Sequence, residues 1–399
     1  MYVRQSSLFS FEELLNMEPR KHIELLFSAL DLRPYAEKLR SSSPQGAKPI
    51  HREAILRALL ASPLLGISTF TKLYERLDSD IRFRFQCGFR MDEPVPSIAT
   101  ISRVFSTLTR LNLAETLFND LVDECRKEGI IDGSHLAIDS AGIHCYERKL
   151  PKLVSQLNGN ADWGAKADSF GNKLTWFGYK IHLAVDTHSE LPIALQVTPA
   201  HVYDGEMAIP LMEQIAARSW KFQFVMMDAG YDQVKNYEVS RSFGAQAIIP
   251  LNRRGEKEPP AGMSANGTPK CSMGFEMAYW GAETDRLKFR CPHVMGKVDC
   301  PLGAAWCSES NYGMVTKVKI ADGARRYSNP HRGSRKWTLL YNERTAVERC
   351  NSRLKDYLTA DAVHVGGLEK VTTHVYLNAI VLLAGALAAN KANRLEQTA

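Results

Sequence analysis

A chain of 399 residues exceeds what one ordinary hydrophobic core supports, so two or three units that each bury apolar surface are expected. Its 50 Lys and Arg against 44 Asp and Glu leave a net charge of +6, which permits a polyanionic partner without demanding one. The opening segment MYVRQSSLFSFEELL carries charge early and has no apolar signal core, which argues against a secretory leader and for a cytoplasmic chain.

Residues 1–130 read as helical. IHREAILRALLASPLLG places Ile50, Ala54, Leu56, Leu59 and Leu60 at helical spacing, with Gly66 as its stop. STFTKLYERLDSDIRFRFQCGF reads as two short helices broken at 78–80, the second carrying Arg82 and Arg84. A helix-turn-helix reader and an ordinary helix pair both fit it. The next run has Ser97 as candidate N-cap, Arg103 on its helix, and Gly129 as stop.

Beyond Gly133 the period changes to that of strands. HLAIDSAGIH, TWFGYKIHLAVD and LPIALQVT are three β runs, the last two joined by the turn-like THSE. A helix from DGEMAIPLMEQIAARS follows, then the buried-type strand FQFVMMDAGYD, a helix over about 233–243, and a fifth strand in AQAIIPL. This order resembles a ribonuclease-H-like mixed sheet flanked by helices. In that arrangement the first and fourth strands are neighbours, which brings Asp139 and Asp228 to one end of the sheet.

The next 85 or so residues exceed what such a sheet needs. NRRGEKEPPAGMSANGTP reads as a mobile link, and FEMAYWG, RLKFRCP and GMVTKVKI as strands of a small inserted β-rich domain. Cys271, Cys291, Cys300 and Cys307, with His293 nearby, are candidate ligands for a structural Zn²⁺. Their spacings of 20, 9 and 7 are not those of paired CxxC motifs, and small buried hydrophobes remain the competing reading. Trp280 and Trp306 are expected in the core of the insertion. From Arg325 to Lys355 nine basic residues face two acidic ones, a pattern that suits a solvated loop or a nucleic-acid surface equally. The apolar run Val375–Ala389 is short for a membrane span and is expected to be a buried helix.

The third acid comes from YNERTAVERCNSRLK. At 100° per residue, Tyr341, Arg344, Glu348 and Lys355 fall within a sector of roughly 60°. An ion-paired surface helix satisfies that stripe, and so does a carboxylate aimed at a metal between cations aimed at phosphate. The spacing Tyr, two residues, Arg, three residues, Glu, six residues, Lys is similar to the YREK signature of bacterial insertion-sequence transposases with a DDE triad. DAGYD around Asp228 and AIDSAGIH around Asp139 resemble the two aspartate motifs of that group.

The resemblance covers about residues 131–390. It implies a DNA transposase that binds terminal inverted repeats and catalyses strand cleavage and transfer. Asp139, Asp228 and Glu348 would be both catalytic residues and ligands of Mg²⁺ or Mn²⁺, with two ions roughly 3.5–4 Å apart stabilising the attacking and leaving oxygens. Tyr341, Arg344 and Lys355, with Arg349 and Arg353 on the same helix, would hold DNA. The partners implied are double-stranded transposon ends and target DNA, bound by a homodimer, with no membrane, in a bacterial, nucleoid-associated setting.

The expected division is a helical DNA-binding and assembly domain at 1–130, catalytic core at 131–251 and 338–399, and the β-rich, Cys-containing insertion at 252–337. A catalytically inactive, domesticated DNA-binding derivative is the alternative, and a ribonuclease-H-like nuclease would share the triad. Bland roles are expected for the other acids: Asp186 in the hairpin turn, Asp204 and Asp232 as helix N-caps, Glu343 in solvent. His182 is expected to be packed or hydrogen-bonded.

Overall fold

A computed structural model describes residues 21–40, 51–149, 160–167 and 172–398. Ile50 lies outside them. Among the described residues seven helices come first: α1 (Lys21–Ser28), α2 (Arg33–Lys38), α3 (Arg52–Leu64), α4 (Phe70–Ser79), α5 (Ile81–Gln86), α6 (Ile98–Arg110) and α7 (Leu113–Lys127). Side-chain caps explain where several begin. Thr69 accepts the Lys72 N–H at 3.1 Å, Asp80 the Phe83 N–H at 3.0 Å, and Ser97 the Thr100 N–H at 3.3 Å. Asp80 thereby makes the break between α4 and α5. Gly129 turns the chain out of α7 at φ 73°, a conformation costly for other residues.

The central sheet holds β1 (His135–His144), β2 (Asp162–Ala167), β3 (Lys173–Asp186), β4 (Pro192–Pro199), β5 (Phe224–Met227) and β6 (Gln246–Ile248). β1 runs antiparallel to β3 and parallel to β5, and β6 extends the parallel side. β2 and β4 both pair antiparallel with β3. Between β4 and β5 lies α8 (Ala208–Ala217), and between β5 and β6 lies α9 (Val234–Ser242). β2 has no strand signal, since DWGAKA is poor in β-branched residues. Its Gly164 leaves room for the Trp176 indole, which would lie 2.4 Å from an added Cβ.

A separate three-stranded antiparallel sheet contains β7 (Ala278–Ala282), β8 (Arg286–Arg290) and β9 (Val315–Lys319). Its own small apolar cluster is Met277, Leu287, Phe289, Ile320 and Tyr327. The segment before it is anchored rather than loose: Ser264 and Thr268 are buried, and the Ser264 N–H donates to the Thr268 carbonyl at 2.7 Å. The chain returns through α10 (Arg335–Asn342), α11 (Thr345–Ser352), a π-helical turn at Arg353–Tyr357, and α12 (Leu368–Thr398).

α12 is long and apolar enough to cross a membrane by length and composition, yet it packs against α1, α3, α6, α7 and β4 and is mostly buried. It is a core helix. One continuous apolar cluster runs from Ile23 in α1 through the sheet to Leu387 in α12, joining the helices at both ends of the chain to the sheet.

Candidate active site

Parallel pairing of β1 with β5 sets Ile138 opposite Met227, and the next position on each strand is an aspartate, Asp139 and Asp228. Both are half-buried. Asp139 accepts the Ser140 N–H at 2.8 Å, and Asp228 accepts the Gly230 N–H at 2.8 Å, capping a 3₁₀ turn at Ala229–Tyr231. Burial pushes the Asp139 carboxyl up to about 7, and the Asp228 carboxylate adds to the rise against the pull of the Ser140 N–H and Arg344. Asp228 is also raised, first by burial, with its backbone donors and Arg344 opposing.

Glu348 lies on α11, which packs across β1 and β3. Its Oε1 accepts from Arg344 Nη2 at 2.6 Å, while Arg344 Nη1 lies 3.6 Å from Asp139 Oδ2. One guanidinium therefore spans the first aspartate and the glutamate. Tyr341 is half-buried and stacked on Trp337 with ring centroids 4.9 Å apart, and the Arg344 guanidinium sits 5.7 Å from its ring centre.

The single helix expected over 341–355 is in fact broken. Helix α10 ends at Asn342, and the tail is a π-helical turn that redirects Lys355. The Lys355 ammonium donates to the Gly142 carbonyl at 2.8 Å and lies 3.5 Å from Asp361, so it braces β1. Arg349 and Arg353 both pair with Glu190 in the β3–β4 turn, Arg349 at 2.5 Å.

Several bland readings need correction. Asp204 makes no cap hydrogen bond; its carboxylate accepts from Lys180 Nζ at 2.7 Å. Asp232 does not cap α9 either. It is fully buried and accepts from Asn252 N–H and Tyr237 Oη, both at 2.8 Å, and from Arg325 Nη2 at 2.7 Å. Glu343 is not free in solvent, since it binds His135 Nδ1 at 2.7 Å and Thr187 Oγ1 at 3.0 Å.

The basic run is partly internal. Arg325 holds Asp232, Arg326 pairs with Glu256, and Arg332 donates to the Ile249 carbonyl and to Tyr237 Oη. Trp280 and Trp306 are 53% and 54% exposed rather than core residues, and Arg290 lies 4.7 Å over the Trp280 ring. In the helical leader, Arg84 is turned onto the Arg90 carbonyl at 3.0 Å and Arg103 onto Thr100 at 3.3 Å.

Asp186 is at the hairpin turn as read, accepting from Ser189 and also from the Gly133 N–H at 2.8 Å. His182 is buried and bonded to Thr198 Oγ1 at 2.8 Å.

Asp139 stands inside β1, which runs on to His144 rather than ending at the acid, and Asp228 directly follows β5. These two half-buried carboxylates on neighbouring strands are hard oxygen donors whose mutual repulsion a divalent cation relieves, so they fit Mg²⁺ or Mn²⁺. The third expected donor, Glu348, has its Oε1 engaged by Arg344. Among the described residues no three His, Cys, Asp or Glu side chains are already gathered as a metal-binding group. That includes Cys271, Cys291, Cys300, Cys307 and His293. They line one small pocket, in which Cys300 and Cys307 direct their thiols to the Gly303 and Ala304 carbonyls.

The raised Asp139 carboxyl has a measurable consequence. Because its folded value exceeds the ordinary one, its contribution to stability is present in acid and is lost as pH rises through about 7. Asp139→Asn, which keeps the neutral form, is expected to stabilise the chelator-treated protein by roughly 2–4 kcal/mol at pH 8 and by much less at pH 5. Urea unfolding at the two pH values checks this, and an equal change at both contradicts it.

Comparison with known families agrees with this architecture. The model described as "Transposase DDE domain" matches residues 125–384, and "Transposase domain (DUF772)" matches residues 11–107. The chain belongs to the DDE transposase domain family. Among solved structures, it is similar to the piggyBac transposase synaptic complex with hairpin DNA, solved by cryo-EM, at 14% identity and a TM-score of 0.41. That alignment covers 94% of this chain and 76% of the other. A search of curated proteins finds no match.

Proposed function

We propose that the chain is the DNA transposase of a bacterial insertion sequence of the YREK-signature group, built on a ribonuclease-H-like core. It binds terminal inverted repeats and carries out metal-dependent strand cleavage and strand transfer. The observation that carries this reading is the pair of aspartates brought side by side by the parallel pairing of β1 with β5, with Glu348 one guanidinium away.

Asp139, Asp228 and Glu348 hold Mg²⁺ or Mn²⁺. When bound, the ions supply Lewis-acid stabilisation of the oxygens that gain charge during in-line displacement at phosphorus. The protein's own residues do the rest. Arg344 exchanges Glu348 for a phosphate, for which its planar fork is suited. Tyr341 keeps the Arg344 side chain over the site, and Lys355 holds the end of β1 through the Gly142 carbonyl. Arg349 and Arg353 reach DNA from the Glu190 side.

Residues 1–130 serve sequence readout and assembly, since phosphate contacts by the core carry little sequence information. The 252–337 region is an insertion, and two copies act together on paired ends.

The test is cleavage of labelled DNA carrying the inverted repeats that flank the gene, compared with random DNA, in Mg²⁺, Mn²⁺ or chelator. Cutting at the repeat ends only with metal is the expected result. Selective binding of the ends without any cutting at saturating metal overturns the enzymatic reading in favour of a domesticated DNA-binding protein.

A further inference from the structure

We propose that Lys180 and Asp204 are positioning residues for the candidate active site: an ion pair between a buried lysine and a half-buried aspartate, on the opposite face of the sheet, that fixes the turn following Asp228. The proposal rests on the functional reading above.

Antiparallel pairing puts Asp139 opposite Leu183, and Lys180 opposite Gly142. Side chains alternate along a strand, so Lys180 points to the face away from Asp139. There it is only 8% exposed, with Nζ 2.7 Å from Asp204 Oδ1 and 2.8 Å from the Val202 carbonyl. A buried ammonium is a net cost to folding in most settings, and an apolar side chain of similar volume would serve the core as well or better. The pair therefore calls for a use other than stability.

Its place supplies one. Asp204 opens a 3₁₀ turn, Asp204–Glu206, that packs directly on the Ala229–Tyr231 turn following Asp228. Tyr203 Oη donates to the Gly230 carbonyl at 2.6 Å. Asn236, fully buried, donates from one Nδ2 to both the Gly205 carbonyl at 3.2 Å and the Tyr231 carbonyl at 2.8 Å. The approach is close enough that a Cβ on Gly205 would stand 3.1 Å from the Gly230 carbonyl oxygen. Glu206 adds an ion pair to Lys235.

The two turns thus form one unit, and Lys180 ties that unit to β3, the strand that pairs with the Asp139 strand. Asp204 also sits within electrostatic reach of both aspartates, adding to the rise of each. An unpaired Asp204 would change the charge behind the metal-binding carboxylates, and a displaced turn would move Asp228.

The test uses the full-length chain and the variants Lys180→Met, Lys180→Arg and Asp204→Asn. Three quantities are read: Mn²⁺ binding by calorimetry, DNA-end binding by fluorescence anisotropy, and the Mn²⁺ dependence of cleavage. Support groups behind metal ligands typically matter by about 10–100-fold in metal affinity or activity. Lys180→Met and Asp204→Asn are expected to shift Mn²⁺ affinity or maximal cleavage by that much with end binding unchanged, and Lys180→Arg to recover part of the loss. A merely structural pair would lower the melting temperature without moving the Mn²⁺ isotherm, and that result overturns the proposal. Should Lys180→Met not fold, Lys180→Arg and Asp204→Asn decide it: wild-type isotherms and rates in both overturn it. A wild type that neither binds Mn²⁺ nor cuts DNA overturns the functional reading and this proposal together, whereas an active wild type matched by its variants overturns this proposal alone.

Discussion

Alanine at Asp139, Asp228 or Glu348 is expected to lower metal-dependent strand cleavage by at least about 10³-fold while changing DNA-end binding by no more than a few-fold. The size follows from the chemistry. Stabilising the attacking and leaving oxygens is worth several kcal/mol, and each 1.4 kcal/mol or so is tenfold in rate. The three losses should be similar for different local reasons. Asp139→Ala and Asp228→Ala remove half-buried carboxylates that are already disfavoured as charges, and Asp228→Ala also removes the cap of the Ala229–Tyr231 turn. Glu348→Ala frees Arg344 from its 2.6 Å partner and leaves it beside Asp139 alone. A Glu348→Ala protein that cuts at the parental rate would reduce Glu348 to an i,i+4 surface partner, worth a few tenths of a kcal/mol.

The largest stability effect is expected at Asp232, just beyond the turn that Asp228 caps. Asp232→Ala should destabilise the fold by roughly 3–5 kcal/mol, because removing one member of a buried pair leaves the other charge uncompensated. Asp232 is inaccessible to solvent and takes four hydrogen bonds: from Asn252 N–H, from Tyr237 Oη, and from Nε and Nη2 of Arg325. Arg325 in turn donates to the Asn252 carbonyl at 2.7 Å, which anchors the return path from the three-stranded sheet to α10. Arg325→Ala should cost less, since Asp232 keeps its Asn252 and Tyr237 donors. Denaturant titration of both variants measures this. A loss below about 1 kcal/mol for Asp232→Ala would mean that the pair is solvated in solution, contrary to its burial.

Much of the central sheet was legible because its strands announce themselves by apolar runs that end in a turn residue. β1, β3, β4, β5 and β6 all fall where such runs stand, and the parallel neighbours β1 and β5 bring Asp139 and Asp228 into the same register. The cap at Ser97 was readable for a local reason, a short polar side chain before a helical period, and the break read at 78–80 is where Asp80 caps α5.

What failed was whatever depends on a distant partner. Asp204 and Asp232 look like helix N-caps, since an acid before a helix is the cap signal, yet their partners Lys180 and Arg325 stand 24 and 93 positions away. The arginines of the 325–336 run read as a basic surface because the carboxylates and carbonyls that absorb Arg325, Arg326 and Arg332 lie elsewhere in the chain. Lys355 kept its place in the signature spacing, but a π-helical turn, invisible to a 100° wheel, pointed it at the backbone of β1. β2 was missed because Ala, Gly and Lys carry no strand signal. Trp280 lies outside the core because it sits at an irregularity of the β7–β8 register, with an arginine over its ring.

Asp139, Asp228 and Glu348 are expected to act as one metal-binding set on DNA, although Glu348 is held by Arg344 here. The most direct test is a structure of the full chain bound to its terminal repeat DNA with Mn²⁺. Carboxylate oxygens of all three residues are expected on shared ions, with the Arg344 guanidinium moved from Glu348 to a DNA phosphate. Ions held by the two aspartates alone, with Glu348 still on Arg344 beside properly seated DNA, would contradict it.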